Sequence, residues 1–228
     1  MMEMDEAFAV AEPSGAIREF LRKCLNRDEE AFVQSMKTLG QFLYRTNAQM
    51  NLTAIKPEDF WKKHVADSLS VSLYYREFFS GGKQICDLGC GAGFPSLVLA
   101  AAFPETEFVS VDSTKKKITY VNNAASLLGL KNLQAVHGRG NELARKEPYR
   151  NAFDAVFARA VASADVLLRE GSAFLKKGSS LVIYRTSDQF EDELPFLKKW
   201  KKGSFTHTEL FPLPEDAGTR MFLALKVF

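Results

Sequence analysis

Between Ile17 and about Thr46 the apolar residues Ile17, Phe20, Leu21, Cys24 and Leu25, then Phe32, Met36, Leu39 and Leu43, recur at three- and four-residue spacing. That period collects them on one helical face, and the polar run Asn26–Asp28, whose side chains favour helix N-termini, splits the stretch into two amphipathic helices. A third helical segment is predicted from Pro57, a favoured first-turn residue, to about Tyr75, and Gly81-Gly82 interrupts the chain after it. Beyond that point short runs rich in Val, Ile, Leu and Phe alternate with longer helical segments, which predicts βαβ units and a parallel sheet. The predicted strands are 84–88, 107–112, 133–137, 153–158 and 180–185, with helices near 94–103, 115–128, 141–146, 164–175 and 189–200. Residues 205–211 and 220–227 are separated by the turn-rich stretch 212–218, too short for a crossover helix, so they are predicted to pair antiparallel at one sheet edge.

Composition narrows the class. With 228 residues, 46% of them hydrophobic, the chain can bury a core in one large or two small domains. No run approaches the roughly 18 to 20 apolar residues of a membrane helix, and the first ten residues are acidic where a signal peptide would be basic, so a cytoplasmic protein is expected. Cys24, Cys86 and Cys90 are odd in number and form no Cys-x-x-Cys pair, so they are expected to be reduced, with neither a disulfide framework nor a structural metal. The net charge of +2 is far from the basic balance of a typical nucleic-acid binder. Its distribution is less neutral: residues 1–114 carry 11 basic and 16 acidic side chains, and residues 115–228 carry 19 and 12.

The chemistry concentrates in Gln84–Ser96, a strand that runs into Gly89-x-Gly91-x-Gly93 and then a helix. Closely spaced glycines let the backbone turn tightly and approach a ligand. The spacing fails the G-x-G-x-x-G of dinucleotide folds, because position 94 is Phe, and this disfavours a NAD-dependent oxidoreductase. Asp87-x-Gly-x-Gly-x-Gly resembles instead the S-adenosylmethionine fingerprint of Rossmann-like methyltransferases, and Asp112, ending the second strand, stands where a carboxylate would accept the ribose hydroxyls. Cys90 reads as a small filler, since no Pro-Cys signature of cytosine-C5 methylation accompanies it. After the fourth strand there is no Asp/Asn-Pro-Pro-aromatic clamp for an exocyclic amine; Phe153–Ala160 carries Arg159 in its place. A ring nitrogen such as guanine N7 has a lone pair and no proton to lose, so its methylation needs positioning more than a general base.

Asn51-Leu-Thr-Ala-Ile, Lys63-His-Val-Ala-Asp-Ser-Leu69, Asp87–Pro95, Val111-Asp-Ser-Thr-Lys-Lys116 and Ala158-Arg-Ala-Val-Ala162, in this order, resemble the RsmG (GidB) family of bacterial small-subunit ribosomal RNA guanine-N7 methyltransferases. The resemblance runs from about residue 30 to the C-terminus. It implies an α/β, Rossmann-like class I fold with a mostly parallel seven-stranded sheet, an antiparallel C-terminal strand pair and an N-terminal helical cap. Residues 1–80 would form the cap and 81–228 the donor-binding core, in one compact unit. It implies S-adenosylmethionine as donor and a guanine in the 530 loop of 16S ribosomal RNA, free or in the small subunit, as acceptor. A monomer with neither membrane nor metal partner is expected.

Carried over residue by residue, the donor site falls on Gly89, Phe94, Gly140, Asn141 and Arg159, to which the motif reading adds Asp87, Gly91, Gly93 and Asp112. Two positions depart from the family pattern. Asn141 stands where the family commonly has an acidic residue suited to the adenine ring, a place Glu142 would fill by a one-residue shift. Arg185-Thr186 replaces the usual Lys-Gly, and guanidinium and ammonium present their donors differently. His64, Arg159 and Arg185 are the candidate catalytic residues; Arg159 and Arg185 are expected to approach the acceptor guanine and its phosphate. His64, with Asp67 one helical turn on, is placed by the resemblance on the cap helix facing the cleft, although a helical His is commonly a structural hydrogen-bonder. Lys115–Lys117, at a helix start, oppose the helix dipole, whereas the basic run 198–202 closes a helix, where cations are favoured. A small-molecule methyltransferase of this fold, or a donor-binding protein without turnover, is the alternative reading.

Overall fold

The computed structural model describes residues 8–25 and 27–227. Helix α1 (Gly15–Cys24) starts where Ser14 Oγ accepts the Ile17 N–H at 3.2 Å, and α2 (Glu29–Met50) where Asp28 accepts that of Ala31 at 2.7 Å. Each supplies an acceptor for a first-turn donor that has no intrahelical partner. Asp28 is thus the cap expected in the break between the helices; Asn26 lies outside the described residues, as do the first seven residues of the acidic N-terminal stretch. Asn51 ends α2 in the left-handed conformation, at φ 50°.

The third segment is not one α-helix. A 3-10 turn at Pro57–Asp59 leads into a π-helix at Phe60–Ala66, then α3 (Asp67–Leu69) and a second 3-10 turn at Ser70–Leu73. From His64, inside the π turn, to Ser72 nine consecutive residues are buried.

The sheet is built from β1 (Gln84–Leu88), β2 (Glu107–Asp112), β3 (Leu133–His137), β4 (Phe153–Arg159), β5 (Leu175–Arg185), β6 (Gly203–His207), β7 (Phe211–Pro212) and β8 (Thr219–Val227). The order is β3-β2-β1-β4-β5-β8-β6, with parallel pairing from β3 to β5; β8 runs antiparallel between β5 and β6, and the two-residue β7 pairs with β8. The main path of seven strands and the antiparallel C-terminal pair follow the expected architecture, and the two-residue β7, off that path, makes an eighth strand that was not expected. The predicted run 205–211 divides instead, because the chain leaves β6 at Thr208, whose Oγ1 accepts the Phe222 N–H at 3.0 Å. Strand β5 starts five residues before the predicted Ser180: Lys176-Lys177-Gly178-Ser179 reads as a turn, but it forms an irregular entry with Gly178 at φ 85° and a shifted register against β4.

Helices α4 (Ser96–Ala102) and α5 (Lys115–Leu127) cover one face of the sheet, and α6 (Gly140–Leu143), α7 (Ala164–Gly171) and α8 (Ser187–Lys199) the other. Because side chains alternate across a strand, Ile85 of β1 packs with the first group and Cys86 and Leu88 with the second. The cap joins the first: Ile17, Leu21, Phe32, Leu39, Phe60 and Leu69 form one continuous hydrophobic cluster with Leu97, Phe157 and Phe222. Trp61 is anchored there through its indole N–H to the Ala11 carbonyl at 2.6 Å, and Tyr75 packs on Phe222, so both serve packing. No described helix is long and apolar enough to cross a membrane.

Candidate active site

A cleft of about 810 Å³ opens at the carboxyl ends of β1 to β4 and is roofed by Leu52–Ile55, His64 and Asp67 of the cap. It contains the reversal of strand order between β1 and β4, the place where open α/β sheets bind ligands. Leaving β1, the chain takes φ 73°, 55° and 83° at Gly89, Gly91 and Gly93, a left-handed run that other residues adopt only with strain. The three glycines have different duties. A Cβ at Gly89 would lie 2.7 Å from the Val161 methyls, and one at Gly93 2.4 Å from Leu97 Cδ1, so both permit close packing. At Gly91 nothing lies within 4 Å, and a bare backbone faces open space. Asp112 locks this loop to the end of β2: Oδ2 accepts the Gly91 N–H at 3.0 Å and Oδ1 that of Thr114 at 2.8 Å. A carboxylate can accept about four hydrogen bonds, so Asp112, which lines the cleft, keeps acceptor capacity for a ligand.

Asp87 and Gly93, expected at the ligand, do not line the cleft. Asp87 is buried beneath the loop, where Oδ2 accepts the Ser96 N–H at 3.1 Å at the start of α4; its Oδ1 has no partner. Burial pushes its pKa up to about 6, against the lowering by its hydrogen bonds from Ser96. Burial likewise pushes the Cys90 thiol well above its ordinary value, so it is no thiolate nucleophile, as the filler reading requires.

At the opposite wall Asp67 binds two guanidiniums. Arg159 Nη1 donates to Oδ2 at 2.9 Å, Arg220 Nε to Oδ1 at 2.7 Å and Arg220 Nη2 to Oδ2 at 3.0 Å. Arg159 also donates to the Lys63 carbonyl at 3.1 Å and lies 5.7 Å above the centre of the Phe94 ring. The other face of this cluster is His64, whose ring stacks on Phe94 with centroids 4.1 Å apart and whose Nε2 is 3.1 Å from Thr53 Oγ1. Burial, and then the charge of Arg159, hold His64 well below the usual histidine range, so it is neutral near pH 7; its buried Nδ1 is unpartnered. The structure therefore brings His64, Phe94 and Arg159 together in one cluster.

Arg185 is a correction. It was expected at the acceptor, but it is 2% exposed and does not line the cleft. Its Nε and Nη2 donate to Glu193 Oε2 and Oε1 at 2.9 and 2.8 Å, and Nη2 also donates to the Ala162 carbonyl at 2.6 Å. Glu193 Oε1 in turn accepts the Ala164 N–H at 2.8 Å. Arg185 thus ties the loop after β4, in which Ala160 takes the left-handed φ of 54°, to α8. Thr186, the other departure from the family pattern, is the N-cap of α8 in a reciprocal pair with Gln189.

Gly140 lines the cleft, but Asn141 and the exposed Glu142 do not; the carboxylate at this rim belongs to Glu170 of α7. Glu170 and Arg220 were missed by sequence reasoning. Arg220 alone left a signal, a charged residue opening the apolar run Met221–Leu225. The three candidate donor contacts that a ligand would need, an open backbone at Gly91, a carboxylate at Asp112 and a rim at Gly140, follow one another along β1, β2 and β3. That sequence of groups fits the amino-acid, ribose and base parts of S-adenosylmethionine.

Residues 32–213 match the model of a family described as GidB, rRNA small subunit methyltransferase G. A relative named "Ribosomal RNA small subunit methyltransferase G" from Staphylococcus epidermidis is 37% identical over 203 residues, 88% of this chain and 82% of the relative. One of the same name from Staphylococcus aureus (strain JH9) is 40% identical over 194 residues, 83% and 80% of the two chains. Among solved structures, a putative O-methyltransferase from Klebsiella pneumoniae is similar with a TM-score of 0.60 and 12% identity, covering 99% of this chain and 100% of the other. A SAM-dependent O-methyltransferase from Thermotoga maritima has a TM-score of 0.56 at 19% identity, covering 80% and 70%. At these identities the structural likeness speaks to the fold.

Proposed function

Because this chain belongs to the GidB family, rRNA small subunit methyltransferase G, we propose that it transfers the methyl group of S-adenosylmethionine to N7 of a guanine in the 530 loop of 16S ribosomal RNA, acting as a cytoplasmic monomer on RNA of the small subunit. When bound, the donor supplies an electrophilic sulfonium methyl. The loop at Gly89–Gly91 would hold its methionine end and Asp112 its ribose. Arg159 and Arg220 would orient the acceptor nucleotide.

The observation that carries the choice of a ring nitrogen is the state of the proton acceptors around the cleft. Asp67 is held by two guanidiniums, Asp112 by two backbone N–H groups, and His64 is a buried imidazole of depressed basicity. None of these three is poised to take a proton from an exocyclic amine, and the remaining carboxylate of the lining, Glu170, stands at the rim beyond β3, where the base of the donor would lie. Guanine N7 attacks with a lone pair and loses no proton, so alignment is enough. Positive charge moves from sulfur to the base and no oxyanion forms, so no oxyanion hole is needed.

The test is to incubate the protein with methyl-labelled S-adenosylmethionine and undermethylated small subunits, then digest the RNA to nucleosides. Label in 7-methylguanosine supports the proposal. Label in another methylated nucleoside, or in none, overturns it.

A further inference from the structure

The rim beyond β3 holds a carboxylate that the transfer chemistry leaves unused. Glu170, on α7, lines the cleft. Its Oε2 accepts the Asn141 N–H at 3.0 Å, and among the described residues Oε1 has no hydrogen-bond partner. Gly140 makes the room for it. The backbone there is not in the left-handed region, so glycine is not demanded by φ. It is demanded by space: an added Cβ would lie 2.8 Å from the Glu170 carbonyl oxygen and 3.1 Å from its Oε2. The neighbouring acidic position does not substitute, because Glu142 is exposed outside the cleft. Asn141 keeps its own Oδ1 buried and unpartnered.

A donor whose amino-acid end lies on the Gly91 loop and whose ribose meets Asp112 carries its base outward along the strand order, from β1 through β2 to the rim of β3. The base of S-adenosylmethionine presents an exocyclic amine, a donor of two hydrogens. An ionised carboxylate only accepts. A purine with an oxygen at that position would set lone pair against lone pair.

We propose that Glu170 accepts a hydrogen bond from the adenine amine of the methyl donor and makes the site selective for a 6-aminopurine. The carboxylate reaches the base from α7, across the gap left by Gly140. This rests on S-adenosylmethionine being the donor and not on which RNA atom is methylated.

The experiment is calorimetric titration of the full chain with S-adenosylhomocysteine and with its 6-oxo counterpart, S-inosylhomocysteine. Wild type is expected to bind the adenosyl ligand about 10- to 100-fold more tightly, since the oxo ligand leaves polar groups unpaired. In Glu170→Gln the amide can turn either its oxygen or its N–H₂ to the base, so the ratio falls towards one. Equal affinities in wild type overturn the proposal without recourse to a variant, and so does a Glu170→Gln protein that keeps the wild-type ratio. Wild type binding neither ligand would overturn the identification of the donor itself, a result distinct from equal binding.

Discussion

Asp67 joins the cap to the sheet by sharing one negative charge between two arginines, and its replacement by Asn isolates that charge. The side chains involved are nearly dry: Asp67 is 5% exposed, Arg159 11% and Arg220 17%. In wild type the cluster carries a net +1; in Asp67→Asn two guanidiniums face one neutral oxygen. Removing one partner of a buried ion pair costs about 3–5 kcal/mol. The Asn oxygen still accepts one hydrogen bond, which favours about 3 kcal/mol. For a chain of this length that lowers Tm by roughly 6–12 °C. Arg220→Met should be far milder, about 1 kcal/mol, because it leaves Asp67 and Arg159 as a one-to-one pair. The double variant Asp67→Asn/Arg220→Met should then recover much of the loss, since only one guanidinium remains. Calorimetric melting of the four proteins at pH 7.5 decides it. An Asp67→Asn protein melting within about 2 °C of wild type, or an Arg220→Met protein as unstable as Asp67→Asn, would refute the charge-sharing account.

Three further outcomes follow from the site. Burial pushes the Asp87 pKa up to about 6 from the ordinary aspartate value, so between about pH 4 and pH 6 the folded state holds a proton that the unfolded state has released; stability present at low pH is lost as pH rises through that window, about 3 kcal/mol in all. Asp87→Asn should therefore gain on wild type between about pH 4 and pH 6.5 in denaturant titrations, and a pH-independent difference would count against the buried carboxyl. Gly91→Ala should weaken S-adenosylhomocysteine binding with only the roughly 1 kcal/mol cost of its backbone strain, whereas Gly93→Ala, whose methyl meets Leu97, should chiefly lower Tm; titration and melting of both separate the two roles. Arg185→Ala leaves the partly buried Glu193 carboxylate without its counter-charge and should cost about 3 kcal/mol in melting experiments; an unchanged Tm with lost RNA methylation would restore Arg185 to the acceptor.

The parts of the fold legible in the sequence were those that depend on neighbours along the chain. Gln84–Leu88 and Glu107–Asp112 are apolar runs bounded by turns, and both strands have the predicted ends. The glycine loop and Asp112 were legible because a fixed spacing carries their chemistry. The π-helix was not, since a helical period does not distinguish a bond to the fourth residue from one to the fifth. Arg185 was misread because a cation at the carboxyl end of a parallel strand has the same sequence signature whether it faces a ligand or a carboxylate such as Glu193 on the next helix. Arg220 and Glu170 take their meaning from Asp67 and Asn141, 153 and 29 positions away, which no local pattern reveals. The charge asymmetry of the chain does reach the site: of the basic residues lining the cleft, Lys117, Arg139, Arg159 and Arg220 come from the basic half and Lys63 from the acidic one. A local cationic wall within a nearly neutral chain suits an enzyme that must release its RNA after each transfer.

The central claim is tested most directly by mapping the product on the RNA. Small subunits treated with the protein and S-adenosylmethionine are stripped, reduced and cleaved chemically at 7-methylguanine, and the 16S RNA is read for breaks. One new break at a guanine of the 530 loop, dependent on both enzyme and donor, is the predicted result; intact RNA there, or methylation on another atom or in another loop, would contradict it.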